Sequence, residues 1–303
     1  MDYQTLIDAP TWAFIDKTNA CYPEDTATRP IVEQRQIYDA MCGVFARGYP
    51  AGVTSQDHAI GAVPCRRYPG AAPTVVYLHG GGFVVGGLES HDDICAEIRA
   101  RTGLGVVSVD YRLSPDHRHP AAFDDAVTVA LTLISQGDTI ILVGDSAGGN
   151  LAAAVSHRLR ASPALLGQVL IYPGLGGDRD RGSYLAHANA PMQTRDDVLF
   201  YAAIRFQGPI PVGDATAAPL QDTDFSGLPP TLAISAECDP IADDAHEYAA
   251  KINAAGGRAM WVQEPGLPHA YLRARSTVPR AAQSFDRIIA AISAMAKREW
   301  KPK

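Results

Sequence analysis

The chain has 303 residues, 47% hydrophobic and 19% charged, which allows a large buried core and excludes wholesale disorder. Lys plus Arg number 26 against 33 for Asp plus Glu, a net charge of -7, so the basic footprint of a nucleic-acid binder is missing and no nucleic-acid partner is expected. The five cysteines (Cys21, Cys42, Cys65, Cys95, Cys238) include no C-x-x-C pair and read as free thiols in a reducing compartment.

At the N-terminus, Met1-Asp2-Tyr3-Gln4 lacks the basic start of a signal peptide. No apolar run approaches the roughly 18 residues of a membrane helix, so a soluble, cytoplasmic protein without a membrane partner is expected. Residues up to about Arg47 read as helical and carry Trp12, Phe14, Tyr38, Met41 and Phe45. Asp57–Tyr68 suggests an antiparallel hairpin at a sheet edge. Strands and helices then alternate. Strands are expected at Thr74–His79, Gly105–Asp110, Thr139–Gly144, Gln168–Tyr172, Thr231–Ser235 and Arg258–Gln263. Helices are expected at Asp92–Thr102, Ala121–Ser135, Ala147–Ala161 and Asp243–Ala255. The last helix carries Phe285, Ile288, Ile289, Ile292 and Met295 on one stripe.

Several strand segments are continuous apolar runs, as a parallel sheet covered on both faces requires. The alternation predicts a doubly wound α/β sheet. Two regions interrupt it: residues 1–47, and the stretch 174–213, which is Gly- and Asp-rich and then helical over Thr194–Phe206. Insertions between such strands emerge at the end where α/β sites lie. The expected organisation is therefore a sheet domain of residues 48–173 and 214–303, capped by 1–47 and 174–213.

The sharpest motif is Gly144-Asp145-Ser146-Ala147-Gly148-Gly149-Asn150. It contains G-x-S-x-G between an expected strand and an expected helix, the context of a nucleophile elbow, where small neighbours let the chain turn sharply and leave the serine hydroxyl exposed. A phosphate loop is disfavoured because no Gly-Lys-Ser/Thr follows. The second motif is His79-Gly80-Gly81-Gly82-Phe83, directly after Val75-Val76-Tyr77-Leu78. Backbone without side chains can approach a substrate closely and aim N–H groups at one small volume. Such donors stabilise an oxyanion by about 3 kcal/mol each.

These two motifs together resemble the hormone-sensitive-lipase family of α/β-hydrolases, in its Gly-Asp-Ser-Ala-Gly branch. Tyr111-Arg112-Leu113-Ser114-Pro115 and Pro120-Ala121-Ala122-Phe123-Asp124-Asp125-Ala126 resemble a further stretch of that family. The likeness runs from about His79 to the C-terminus and is weakest over 174–213. It implies an α/β-hydrolase fold, a mostly parallel doubly wound sheet with a helical cap, and the chain order serine, acid, histidine. Of the histidines after Ser146, His157 lies in the helix behind the elbow, His187 in the cap and His246 in a helical run. His269 lies in a loop after a strand, where the base belongs. Asp239 is preferred to Glu237, Asp243 and Asp244 because Asp239-Pro240-Ile241 resembles the family's Asp-Pro-Leu. After the histidine this chain has Ala270-Tyr271 where members often carry Gly-Phe.

The expected function is that of a serine carboxylesterase acting on short- to medium-chain acyl esters through Ser146, Asp239 and His269. Backbone N–H groups of Gly81, Gly82 and Ala147 would form the oxyanion hole, and His79 and Gly80 would support it. Phe83, Tyr201 and Phe206, with Trp12 and Phe200, are candidates for an acyl pocket. Asp145 is expected to point away from the chemistry, and Asp110, Arg112 and Asp125 to form an ion-pair network. No metal or organic cofactor is implied. The partner is a small ester, and a homodimer is compatible with the reading. An amidase or formamidase would use the same triad. A small-ligand receptor on this fold would typically have lost a triad residue.

Overall fold

The computed structural model describes residues 1–208 and 211–302. Pro209 and Ile210, inside the 174–213 segment, and Lys303 lie outside the described residues. The chain opens with α1 (Tyr3–Leu6), α2 (Ala9–Asn19) and α3 (Ile31–Phe45). An edge hairpin follows, β1 (Gln56–Ile60) and β2 (Val63–Tyr68). Then come β3 (Ala71–Leu78), α4 (Asp92–Thr102), β4 (Leu104–Val109), α5 (Ala121–Ser135), β5 (Ile140–Asp145), α6 (Ala147–Arg158) and β6 (Leu165–Ile171). The 174–213 segment holds α7 (Ser183–Ala186) and α8 (Arg195–Phe206), and β7 (Thr231–Cys238), α9 (Ala242–Ala254), β8 (Ala259–Pro268) and α10 (Pro279–Ala296) complete the chain.

The strands form one eight-stranded sheet in the order β1-β2-β4-β3-β5-β6-β7-β8. The hairpin joins it antiparallel through β2 and β4, and the remaining pairs are parallel. Alternation along each strand builds two cores. Val75, Tyr77, Ile141 and Val143 face one side, where Ile94 and Ile98 of α4 and Phe285, Ile288 and Ile292 of α10 cover them. Val76, Leu78 and Leu142 face the other, under Ala126 and Val129 of α5, Leu151 and Val155 of α6 and Tyr248 and Ile252 of α9. Both faces are thus buried, which is why the strands read as unbroken apolar runs.

Helix α8 starts at a capping box in which Thr194 and Asp197 exchange side-chain and backbone hydrogen bonds. Several boundaries differ from the sequence expectation: β3 and β6 begin three residues earlier, at Ala71 and Leu165, and β7 runs three residues further, to Cys238. Helix α6 stops at Arg158, three residues short of Ala161, and Ala161 is left-handed at φ 61°. Strand β8 continues beyond Gln263 through Pro265 to Pro268, with a register shift opposite Ala236 and Cys238. The five cysteines are all free. Among the described residues no helix is long and apolar enough to cross a membrane.

Candidate active site

Strand β5 ends at Asp145 and α6 begins at Ala147, so Ser146 alone turns the chain, at φ 52° and ψ -117°. A non-glycine residue held there costs of order 1–3 kcal/mol and persists only where its surroundings impose it. The neighbours impose it by close approach: a Cβ on Gly148 would lie 1.9 Å from the Leu78 carbonyl oxygen. The strained turn lifts the Ser146 hydroxyl clear of the sheet.

The loop after β7 carries Asp239 and the end of β8 carries His269, two strands side by side. His269 Nδ1 lies 2.6 Å from Asp239 Oδ2, and its Nε2 lies 2.8 Å from Ser146 Oγ. A carboxylate can only accept, so Nδ1 carries the proton and Nε2 is left as an acceptor for the Ser146 hydroxyl. Asp239 is fully buried and also accepts from the Ile241 N–H at 3.1 Å and Gln193 Nε2 at 3.4 Å. The Tyr172 ring packs edge-on against the His269 ring, with centroids 4.9 Å apart.

The glycine loop leaves β3 at His79. Gly81, at φ 125°, takes a conformation closed to other residues, and its carbonyl accepts from the N–H groups of Val84 and Val85. The N–H groups of Gly81, Gly82 and Ala147 have no acceptor among the described residues, and all three residues border cavities that reach Ser146. His79 is buried; its Nδ1 is 2.8 Å from the Gly80 carbonyl and its ring stacks on Tyr111 at 4.2 Å. Burial, with His91 nearby, pushes its imidazole down to about 3, so it stays neutral in this role.

Asp145 is buried and makes no hydrogen bond to Ser146 or His269, although it borders one of the cavities that reach Ser146; it accepts from the Tyr77 hydroxyl at 2.9 Å and the Gly80 N–H at 3.0 Å. His91 Nε2 lies 3.3 Å from it. Burial alone would raise this carboxyl, but His91, Arg273 and Tyr77 more than offset that and hold it below the usual carboxylate range. Tyr77 and His91 carry no sequence signal of this part; they look like an ordinary strand tyrosine and a helix-start histidine.

Two cavities meet at Ser146. One, of about 290 Å³, is walled by Phe83, Tyr201 and Phe206 together with Ala147, Asn150 and Arg205. The other, of about 320 Å³, is formed by Tyr22, Tyr38 and Met41 from the N-terminal segment with His269 and Arg273. Tyr201 borders both. The expected acyl-pocket residues therefore divide. Phe83, Tyr201 and Phe206 line a cavity, whereas Trp12 packs against the core and Phe200 is 42% exposed, and neither borders these two cavities.

The other candidates are placed as follows. Arg112 and Asp125 pair at 2.8 Å, but Asp110 makes no ion pair with them. His157 pairs with Asp222 at 2.6 Å, His187 meets the Tyr3 hydroxyl at 3.2 Å, and His246 packs at a tilt against Trp261. Asp244 is buried and accepts from the N–H groups of Leu175, Gly176 and Gly177. Glu237 accepts from the Gly266 N–H. Asp243 accepts from the Ser183 N–H. Among the described residues no cluster of His, Cys, Asp and Glu could hold a metal ion.

With this geometry in hand, comparison with known proteins is informative. The family described as having the α/β-hydrolase fold matches residues 75–273. The carboxylesterase NlhH of Mycobacterium tuberculosis is 36% identical over 233 residues, 73% of this chain and 73% of that protein. The ethyl acetate hydrolase of Pseudomonas putida is 31% identical over 232 residues, 73% of each chain. An esterase of Pyrobaculum calidifontis superposes with a TM-score of 0.84 at 30% identity, covering 92% of this chain and 97% of that one.

Proposed function

The chain belongs to the α/β-hydrolase fold family and is a carboxylic ester hydrolase, and from that premise we propose that it cleaves short- to medium-chain acyl esters through an acyl-enzyme on Ser146. The observation that carries this reading is the relay from Ser146 Oγ through His269 to Asp239, at 2.8 and 2.6 Å, beside three unpaired backbone N–H groups.

In this mechanism His269 Nε2 takes the hydroxyl proton as Ser146 Oγ attacks the ester carbonyl. Asp239 holds the ring in the tautomer that leaves Nε2 free and stabilises the imidazolium that forms. The tetrahedral oxyanion is received by the N–H groups of Gly81, Gly82 and Ala147, fixed backbone donors of the kind that need little reorganisation. His269 then protonates the departing alkoxide. Water enters, the same imidazole takes its proton, and the acid leaves. Residues 1–47 and 174–213 act as a cap, because each supplies the wall of one cavity beside Ser146. Phe83 and Phe206 bound the smaller cavity, which favours short and medium acyl chains.

Rapid acid quenching during turnover of 4-nitrophenyl butyrate tests the covalent step. A butyryl group on the peptide containing Ser146, with a burst of nitrophenol before the steady state, is expected. Butyryl transfer to any other residue, or none with no burst under deacylation-limited conditions, overturns it.

A further inference from the structure

The cavity walled by Phe83 and Phe206 is bordered by two arginines, Arg205 and Arg179, that make no ion pair among the described residues. Arg205, from the last turn of α8, is 6% exposed. Its guanidinium lies 3.5 Å from the Phe83 ring centroid and 4.8 Å from that of Phe206. Its hydrogen bonds go to neutral groups: the Ala217 carbonyl at 3.2 Å, Asn150 Oδ1 at 3.4 Å and His119 Nδ1 at 3.5 Å. The nearest acid in this network, Asp214, lies on the far side of His119 and is held by Thr216.

Arg179, half-buried on the same cavity, makes no ion pair among the described residues, and its acidic neighbours are engaged, Asp178 by Arg181 and Asp180 by Arg195. No Asp or Glu lines this cavity among the described residues. The other cavity differs, since Arg273 there shares the lining with Asp145 and Asp197.

A buried guanidinium without a carboxylate is expensive, and proteins seldom keep one without a partner. Burial pushes Arg205 down to about 9, which still leaves it charged at neutral pH. A purely architectural role would account for the bonds to Ala217 and Asn150. It would not account for a second free guanidinium on the same wall in a chain of net charge -7. Planar, forked donors bordering a cavity that reaches Ser146 match one ligand chemistry, a carboxylate taken up side-on.

We propose that this cavity is a carboxylate subsite, and that the preferred substrates are esters bearing a second, free carboxylate at a distance from the scissile bond. The proposal rests on the serine-esterase reading above. The ester carbonyl lies at Ser146 while the distal carboxylate takes Arg205 and, nearer the mouth, Arg179.

The test is the ratio of kcat/KM for a charged ester to that for its uncharged isostere. Monoethyl adipate against its ω-amide places the charge on the acyl side; 5-acetoxypentanoate against its amide places it on the alcohol side. The wild-type ratio should exceed unity by about tenfold or more on one of the two arms, because hydrogen bonds to a charged group change affinity by that much. Arg205→Gln should bring the ratio close to one, and Arg179→Gln should lower it by a smaller factor. Because the ratio is taken within each variant, losses common to both substrates cancel. If Arg205→Gln does not fold, the wild-type ratio and Arg179→Gln decide. A wild-type ratio of one or below on both arms, with the neutral esters still cleaved, overturns this inference and leaves the esterase reading standing. A ratio unchanged in the folded arginine variants also overturns it. No turnover of any of the four esters would instead strike the esterase reading.

Discussion

The Gly80 N–H donates to Asp145 Oδ1 at 3.0 Å, which fastens the glycine loop after β3 to the residue immediately before Ser146, at the end of β5. The same carboxylate accepts from Tyr77 on the central strand. The loop that offers N–H groups and the turn that offers the hydroxyl are thus registered through one buried side chain. Their relative position is set before any substrate arrives, which is what electrostatic preorganisation requires.

Asp145→Asn should therefore weaken both fold and catalysis. The amide oxygen can still accept from Tyr77 and Gly80, but its NH2 then faces His91 Nε2, and the negative charge beside His91 and Arg273 is lost. The expected loss is about 2–3 kcal/mol of stability, with a fall in kcat larger than any rise in KM. Urea unfolding and steady-state kinetics on a neutral ester measure the two. An Asn variant equal to wild type in both would mean that the negative charge of Asp145 is not needed to hold the loop.

Gly81→Ala tests the loop itself. At φ 125° an L-residue is strained, and its Cβ would lie 2.1 Å from the Val85 carbonyl oxygen. The loop must shift, and kcat should fall by about 10²–10³, the cost of losing an oxyanion donor. Circular dichroism should remain that of the folded protein. Retention of full kcat would remove the Gly81 N–H from the oxyanion hole.

His79 makes a pH prediction. Its folded pKa of about 3 lies below the ordinary 6.5 of an unfolded histidine. Between these values the unfolded chain binds a proton that the native state refuses, so stability falls as pH drops from 6.5 toward 3, with a slope of at most about 1.4 kcal/mol per pH unit from this group. His79→Gln should flatten that part of the acid limb. An unchanged limb in a folded Gln variant would mean that His79 titrates freely.

The sheet domain is legible in the sequence because its chemistry is local. Helices α4 and α5 fall on the segments their patterns predict, and the elbow and glycine loop are short motifs whose geometry depends on their own glycines. Strand β8 is less legible. Glu264-Pro265-Gly266 looks like a turn, but pairing with β7 and the Glu237 bond to the Gly266 N–H carry the extended chain through it. Arg205 is invisible for another reason. At the end of an amphipathic helix it reads as a solvated basic residue, and only the fold of residues 174–218 over Phe83 buries it. The second cavity is equally nonlocal, joining Tyr22 and Tyr38 to Arg273 across most of the chain.

Tyr201 and Phe206 should set chain-length preference. Tyr201 stands between the two cavities, and Phe206 closes the one that contains Phe83. Phe206→Ala should raise kcat/KM for longer acyl chains relative to shorter ones, by several-fold or less per carbon, since a buried methylene contributes about 0.8 kcal/mol at best. A uniform fall across a series of 4-nitrophenyl esters would assign Phe206 to packing alone.

Whether Ser146 is the nucleophile is decided by kcat/KM of Ser146→Ala on a short neutral ester. The hydroxyl fills little space, so thermal unfolding should stay close to wild type, while kcat/KM should fall by about four orders of magnitude or more. A folded Ser146→Ala enzyme that keeps more than about a hundredth of wild-type activity would contradict the covalent mechanism.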